Sequence, residues 1–143
     1  MSGGTFNQGT VAKIRVGPSD PPSIELEGVK SATLTGTRDS SKDDFYMEAS
    51  DTSIGKKSLD WQIDGKCKSG APGLILLEAA FHDDTGVPVW ISGSLEGTKG
   101  RSVQVRVSNL VLGFPDVNNK CTYSFQAKYA GADTALAGGT IFD

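Results

Sequence analysis

With 143 residues, the chain has the size of one domain built around a single hydrophobic core. Its residues are 37% hydrophobic and 22% charged, which excludes a chain that is disordered throughout, and no apolar run is long enough to be a transmembrane helix. The formal net charge of −3 argues against tight binding of nucleic acid, because that affinity comes from clustered Lys and Arg on phosphates.

The N-terminal third of the chain alternates between apolar and polar residues, which predicts β-strands. Residues 10–16 place Ala12, Ile14 and Val16 on one face, and the following Gly-Pro pair is expected to end this first strand. Residues 23–35 are interrupted at Gly28 and resume the alternation afterwards. This pattern predicts a hairpin with its turn at Gly28.

The alternation fails between residues 36 and 57, where Ser, Thr and Asp are frequent. A polar segment of this length predicts a long loop that is either functional or disordered. The run Phe45-Tyr46-Met47 favours a function, because a solvated linker has little use for three large apolar side chains. We expect the segment to be largely disordered in an isolated subunit and to become ordered on a partner.

Strict alternation returns at residues 58–64, which predicts a strand. The segment of about 71–82 is the single helix candidate, with Pro72 in its first turn and Gly86 expected to end it. Asp83 and Asp84 then lie near the negative pole of the helix dipole, which is unfavourable unless a cation or another partner compensates them.

Three further strands are predicted after the helix. Pro88 marks the first as partly unpaired at an edge, and a change in the alternation near Asn109 predicts a β-bulge in the second, which covers 101–114. The third spans 121–129. The apolar positions of all these elements predict a core that contains Leu59, Trp61, Ile63, Leu74, Leu77, Phe81, Val103, Val105, Tyr123 and Phe125.

The sequence offers little for catalysis or for cofactor and metal binding. His82, the only histidine, is expected to be a surface or capping residue at the helix end. The paired acids lack the spaced oxygen ligands of a calcium loop. Cys67 and Cys121 are too few for a zinc site of the usual four-ligand kind and are expected to be reduced, with Cys121 a small buried group beside Tyr123 and Phe125. We predict no catalytic residue, no cofactor and no metal.

Four segments carry a resemblance to a known family. Leu34–Ser40 leads from a strand into the long polar segment, and Lys57–Gly65 is the return strand. Gly73–Phe81 supplies the helix, and Tyr123–Tyr129 the closing strand. In this order of elements the chain resembles the tail tube proteins of long-tailed bacteriophages and of related tube-forming particles.

The resemblance implies a β-sandwich or flattened barrel of antiparallel strands with one flanking helix. It implies one domain over 1–143, with a flexible N-terminal arm at 1–8 and a C-terminal tail at 130–143. Such subunits form hexameric rings that stack into a hollow tube for DNA, in the virion tail and, during assembly, in the host cytoplasm. The implied partners are other copies of the chain and tape measure, tail terminator, and distal tail or baseplate proteins, with no membrane insertion.

The resemblance does not distinguish a contractile from a non-contractile tail. The polar segment would supply the contacts between subunits or rings. The residues expected there are Arg38, Asp39, Lys42, Asp43, Asp44, Phe45, Tyr46 and Met47.

An alternative from another class is a soluble β-sandwich that binds a ligand or carbohydrate through Trp90 or the 36–57 segment. Trp61 and Trp90 together are the residues from which a sugar-stacking platform would be built, although their places in alternating strands favour core packing. The size of the particle in solution distinguishes the two hypotheses, since a tube protein forms rings and a binding module stays a monomer or dimer.

Overall fold

The computed structural model describes residues 13–42, 52–95, 99–114 and 121–141. Within these ranges the chain is mainly β, with one helix, as the sequence predicts. The elements are β1 (Lys13–Gly17), β2 (Ile24–Glu25), β3 (Val29–Lys42), β4 (Thr52–Lys66), α1 (Pro72–His82), β5 (Val89–Leu95), β6 (Lys99–Gly113) and β7 (Thr122–Ala135).

The strands form one antiparallel seven-stranded sheet in the order β2-β1-β5-β6-β7-β4-β3. The sheet folds over itself, because Trp61 on β4 meets Gly93 on β5 although β7 and β6 lie between those strands. A Cβ atom at Gly93 would lie 2.7 Å from the indole ring, so only glycine allows this approach. The flattened architecture is therefore present, but β2 and β3 end the sheet and do not pair with each other to close a barrel.

The hairpin predicted over 23–35 does not form. β2 pairs with β1, through Val16 opposite Ile24, whereas β3 pairs with β4. Gly28 does adopt a positive φ of 79°, but its carbonyl accepts a hydrogen bond from the Lys66 N–H of β4 at 2.9 Å. Gly28 thus turns the chain from one edge of the sheet to the other.

The segment predicted as a long loop over 36–57 is instead largely β-strand. β3 continues to Lys42 and β4 starts at Thr52, with Thr37 opposite Ser58 and Lys42 opposite Thr52. Backbone hydrogen bonds form this ladder, and no apolar alternation is needed where a strand has no core to face. The prediction of a loop is therefore wrong for 36–42 and 52–57, whereas 43–51 lie outside the described residues.

The two long C-terminal strands confirm one prediction and correct another. The β6–β7 register shifts between Val107 and Asn109, where the bulge was predicted, and again between Val103 and Val105. β7 does not end at 129 but extends to Ala135, which lies opposite Arg101 on β6. Residues 130–135 are thus strand, because β6 continues to pair with them, and not part of a tail.

The core lies between the folded halves of the sheet and beneath α1. Of the predicted core residues, Leu59 and Leu74 are partly buried and pack against it, whereas Phe81 is 37% exposed. The residues that α1 buries are Gly73 and Leu77; Phe81 lies in the last turn, where its ring meets His82 edge-on. The predicted core residues that are buried are Trp61, Ile63, Leu77, Val103, Val105, Tyr123 and Phe125.

Helix α1 packs on β6, β1 and β2 and ends at His82, four residues before the predicted stop at Gly86. Asp83 caps it in an extended conformation, and its carboxylate accepts hydrogen bonds from the Thr85 N–H at 2.9 Å and the Thr85 hydroxyl at 2.6 Å. These bonds hold the pKa of Asp83 below its usual value and compensate its place at the helix end. In the described part of the chain, no helix has the length and apolarity needed to cross a membrane.

Candidate assembly surfaces

A two-stranded extension leaves the seven-stranded sheet at the β3–β4 edge. β4 pairs with β7 only from Trp61 to Lys66, whereas its pairing with β3 continues to Thr52. Residues 35–42 of β3 and 52–60 of β4 therefore pair with each other and, within the described ranges, with no third strand. We call these two segments the outer hairpin.

Asp60 fastens the base of the outer hairpin to β7. The β4–β7 ladder stops at Trp61 opposite Ala127, and the next β7 donor, the Tyr129 N–H, binds the Asp60 carboxylate at 3.1 Å. The same carboxylate oxygen accepts a hydrogen bond from the Ser58 hydroxyl at 3.0 Å. A side chain thus replaces a backbone acceptor at the point where the strands separate.

A second set of contacts holds the outer hairpin to the sheet. It centres on Asp133, in the part of β7 that extends beyond residue 129. Its side chain is only 3% exposed and accepts from the Lys57 ammonium at 2.7 Å and from the Tyr129 hydroxyl at 2.7 Å. Arg101 of β6 pairs with the other carboxylate oxygen. Three strands therefore meet at one buried carboxylate. We call Lys57, Arg101, Tyr129 and Asp133 the Asp133 cluster.

The electrostatics of the Asp133 cluster favour the charged carboxylate. Burial acts to raise the pKa of Asp133, but the hydrogen bonds from Lys57 and Tyr129 and the charges of Lys57 and Arg101 outweigh it, so that this pKa lies below its usual value. The hydrogen bond to Asp133, followed by burial, raises the pKa of Tyr129. At neutral pH the cluster thus holds an ionised acid and a protonated phenol.

A cleft of about 590 Å³ lies beside the base of the outer hairpin. Lys56 and Arg106 give this cleft a positive charge on a protein whose net charge is −3, whereas Asp133 compensates the charge of Lys57. Arg106 donates to the Gly86 carbonyl at 2.7 Å, which ties the cleft to the turn after α1. The arrangement suits contact with acidic groups.

The sheet presents one short and one long edge. β2, at one end, has two residues, whereas β3, at the other, has 14. A long edge strand offers backbone donors and acceptors to another chain, and proteins that do not use such an edge usually cover or shorten it. The β3 edge is therefore a candidate for pairing with a second subunit.

Large apolar side chains are exposed where β6 ends and on α1. Phe114 is 84% exposed and Val111 55%, while Ile75 on α1 is 60% exposed. Ile75 and Leu112 also line a cleft of about 160 Å³ between α1 and the sheet. Clustered apolar exposure of this kind marks interaction surfaces more often than isolated apolar residues do.

A larger apolar cleft of about 540 Å³ lies between the folded halves of the sheet. Trp61 lines it, and the buried indole N–H of Trp61 has no hydrogen-bond acceptor in the described part of the protein. Since Trp61 is buried, it does not form an exposed stacking platform with Trp90, which is half-buried on β5. The other residues of the lining include Ile14, Leu34, Leu59, Leu95 and Ile141.

The predicted interface residues divide into two groups. Arg38, Asp39 and Lys42 lie on β3 in the outer hairpin, with Arg38 opposite Lys57. The other five, from Asp43 to Met47, lie outside the described residues. Sequence reasoning missed Asp60 and Asp133. Asp60 occupied an ordinary polar position of a strand, and Asp133 fell in the presumed tail, so neither carried a local signal.

No group of three or more His, Cys, Asp or Glu side chains in the described ranges is placed to hold a metal ion. Chemically, the surfaces assembled here offer backbone pairing, apolar contact and charge complementarity. These are the means of protein association.

The sequence matches no family model and no curated protein. Its fold, however, is similar to that of tail tube structures. A chain from the tail of an empty gene transfer agent particle, with C6 symmetry, matches with a TM-score of 0.72 and 12% identity over 92% of this chain and 100% of that one. The SPP1 tail tube matches with a TM-score of 0.72 and 11% identity over 92% of this chain and 79% of the other.

A contractile assembly gives a weaker match. A chain of the sheath-tube complex of the PVC extracellular contractile injection system, in its extended state, has a TM-score of 0.56 and 13% identity over 92% of this chain and 93% of that one. At these identities the similarity concerns the fold. The resemblance that the order of elements indicated is thus confirmed at that level.

Proposed function

We propose that the chain is a structural protein that assembles into hexameric rings, which stack into the tube of a phage tail and form a conduit for DNA. The observation that carries this proposal is the match over 92% of the chain to a C6-symmetric tail at a TM-score of 0.72. The role requires association surfaces and no catalytic residue.

The ring is proposed to close by pairing between sheet edges. The long β3 edge of one subunit pairs with the other edge of its neighbour's sheet, at β2. This contact is heterologous, and it repeats from subunit to subunit until the ring closes. Closure removes the edges that the isolated sheet presents at β2 and β3. The net charge of −3 suits a tube whose inner wall must not hold DNA.

The outer hairpin is proposed to make the contacts between rings. Hydrogen bonds and an ion pair of Asp60 and Asp133 hold its base to β7. The stacking residues are proposed to be Arg38, Asp39, Lys42, Asp43, Asp44, Phe45, Tyr46 and Met47.

A tube has two ends, and other proteins are proposed to bind the chain there. Tape measure, tail terminator, and distal tail or baseplate proteins would contact the chain there. The tube would assemble in the host cytoplasm and reside in the virion tail.

The test is the size and symmetry of the purified full chain as its concentration rises. Sedimentation velocity should show a species of six subunits or larger polymers, and negative-stain images should show sixfold rings or tubes. A chain that forms only monomers or two-fold dimers at high concentration contradicts the proposal.

One observation favours the alternative function of ligand binding, namely the cleft of about 540 Å³ that Trp61 lines. Because its lining is mostly apolar, this cleft suits an apolar group better than a carbohydrate, whose hydroxyls need many polar partners. The alternative expects a chain that stays monomeric and that binds an apolar fluorescent probe with one-to-one stoichiometry and a change in Trp61 emission. A chain that forms rings and binds no such probe rejects it.

A further inference from the structure

The two cysteines, which are far apart in sequence, lie next to each other in the fold. The β4–β7 ladder ends with Lys66 opposite Thr122, and the following pair of positions is Cys67 and Cys121. The Cys67 N–H donates to the Cys121 carbonyl at 2.9 Å, so the two residues extend the ladder by one pair. The sequence analysis predicted reduced thiols but not this proximity.

The geometry of this pair suits a covalent link. Residues directly opposite in a hydrogen-bonded antiparallel pair have Cα atoms about 5.5 Å apart. That separation lies inside the range of roughly 4.4–6.8 Å that disulfides occupy. The two Sγ atoms already face each other at 2.8 Å, and both thiols are free. Both residues are half-buried, so Cys121 is not fully buried as expected.

We propose that Cys67 and Cys121 form an intramolecular disulfide in the folded chain when a small-molecule disulfide such as oxidised glutathione acts as the oxidant. One protein thiolate attacks a sulfur of the oxidant, which releases one glutathione thiol and leaves a mixed disulfide. The second protein thiolate then attacks the protein sulfur of that mixed disulfide and releases the second glutathione thiol. The chain loses two protons and two electrons, which together make two hydrogen atoms, and the oxidant gains them as two glutathione thiols.

The environment of Cys67 slows its reaction with an oxidant. Burial, and then the neighbouring Cys121, raise the pKa of the Cys67 thiol, so the reactive thiolate is scarce at neutral pH. Cys67 lines the cleft of about 160 Å³ between α1 and the sheet, and the other titratable groups that line this cleft are Lys68, Glu78 and Tyr123. The two thiols therefore do not react rapidly with traces of an oxidant.

The cross-link joins residues 54 positions apart and encloses α1, β5 and β6 in one loop. Constraining a loop of this size in the unfolded chain raises the resistance to unfolding. In a tail tube, a consequence that rests on the proposed function, the link would form when the particle leaves the reducing cytoplasm. The chemistry itself requires only the folded monomer.

The experiment uses the full chain, reduced, freed of reductant and then incubated with oxidised glutathione. We expect intact mass spectrometry to show a monomer lighter by two hydrogen atoms with no retained glutathione, and non-reducing peptide mapping to show Cys67 linked to Cys121. The oxidised chain should melt roughly 10 °C higher than the reduced chain. Cys67→Ser and Cys121→Ser should each stop at a single glutathione adduct, with no such gain in melting temperature.

Three results overturn the proposal, namely unreacted thiols, a wild-type chain that retains glutathione, and links between chains instead of within one. A linked chain that melts no higher than the reduced one overturns only the expected stabilisation. The wild-type mass data decide the matter even where a Ser variant folds poorly. Because the readouts come from monomers, a chain that never forms rings can still form the disulfide, and the two proposals fail separately.

Discussion

The outer hairpin and the rest of the described protein, here called the body, are held together in different ways. The body has a core in which Ile63, Leu77 and Val103 are fully buried, with α1 covering one side. The outer hairpin has a two-stranded ladder that is anchored at Asp60 and Lys57. Burial of apolar surface stabilises the body, whereas backbone pairing and a few polar contacts fix the hairpin. Folding and assembly should therefore respond to different mutations.

The largest effect is expected in the body, from Leu77→Ala. Leu77 lies on α1 and is fully buried, so its truncation removes apolar contacts and leaves a cavity. We expect the free energy of unfolding to fall by about 3–4 kcal/mol. Urea denaturation followed by circular dichroism measures this change.

Ile75→Ala is the matched control, because Ile75 lies on the same helix but is 60% exposed. It should change the free energy of unfolding by no more than about 0.5 kcal/mol. Equal effects of the two substitutions would show that α1 does not pack on the sheet as described.

The next largest effect is expected from Asp133→Asn, which acts where the hairpin meets the body. The amide cannot accept charge-assisted bonds from both Lys57 and Arg101, and the site stays buried. We expect a loss of about 1–3 kcal/mol in the free energy of unfolding. Asp84→Asn removes the same charge from an exposed position and should have little effect.

The same carboxylate predicts a pH dependence of stability. The pKa of Asp133 is lower in the folded than in the unfolded chain, so its contribution is present above the unfolded value of about 3.9 and disappears as the pH falls through the folded value. The melting temperature of the wild type should therefore fall below about pH 4. The melting temperature of the Asp133→Asn variant should fall less steeply over that range. Parallel curves for the two proteins would contradict this assignment.

The sequence predicts the body better than the hairpin, for a physical reason. Alternation and helix signals arise where one face of an element is buried, and they located α1, the strand with Trp61 and the bulge near Asn109. A strand whose two faces are both polar leaves no such record, so 36–42 read as loop. Contacts such as that of Lys57 with Asp133 join residues far apart in sequence, and no local pattern encodes them.

A smaller effect is expected from Asp60→Ala, which removes a hydrogen bond between the outer hairpin and β7 and leaves the core unchanged. The Tyr129 N–H loses its acceptor, and we expect a decrease of about 1 kcal/mol in the free energy of unfolding. Hydrogen exchange at the Tyr129 amide should become faster, together with exchange along 52–58. Asp60→Asn keeps an acceptor oxygen and should restore most of the protection. Unchanged exchange in Asp60→Ala would show that this bond does not anchor the hairpin.

The smallest effect on stability, and the largest on assembly, is expected from replacing both Phe45 and Tyr46 with Ser. Both residues lie in the segment of the chain that joins β3 to β4. If they act only between rings, the melting temperature of the monomer stays nearly unchanged while sedimentation and negative-stain images show no stacked tubes. The conservative double variant Phe45→Leu/Tyr46→Phe keeps the apolar surface and should still polymerise. A Ser double variant that unfolds would place these side chains in the body of the monomer, and one that polymerises normally would remove them from the stacking contact.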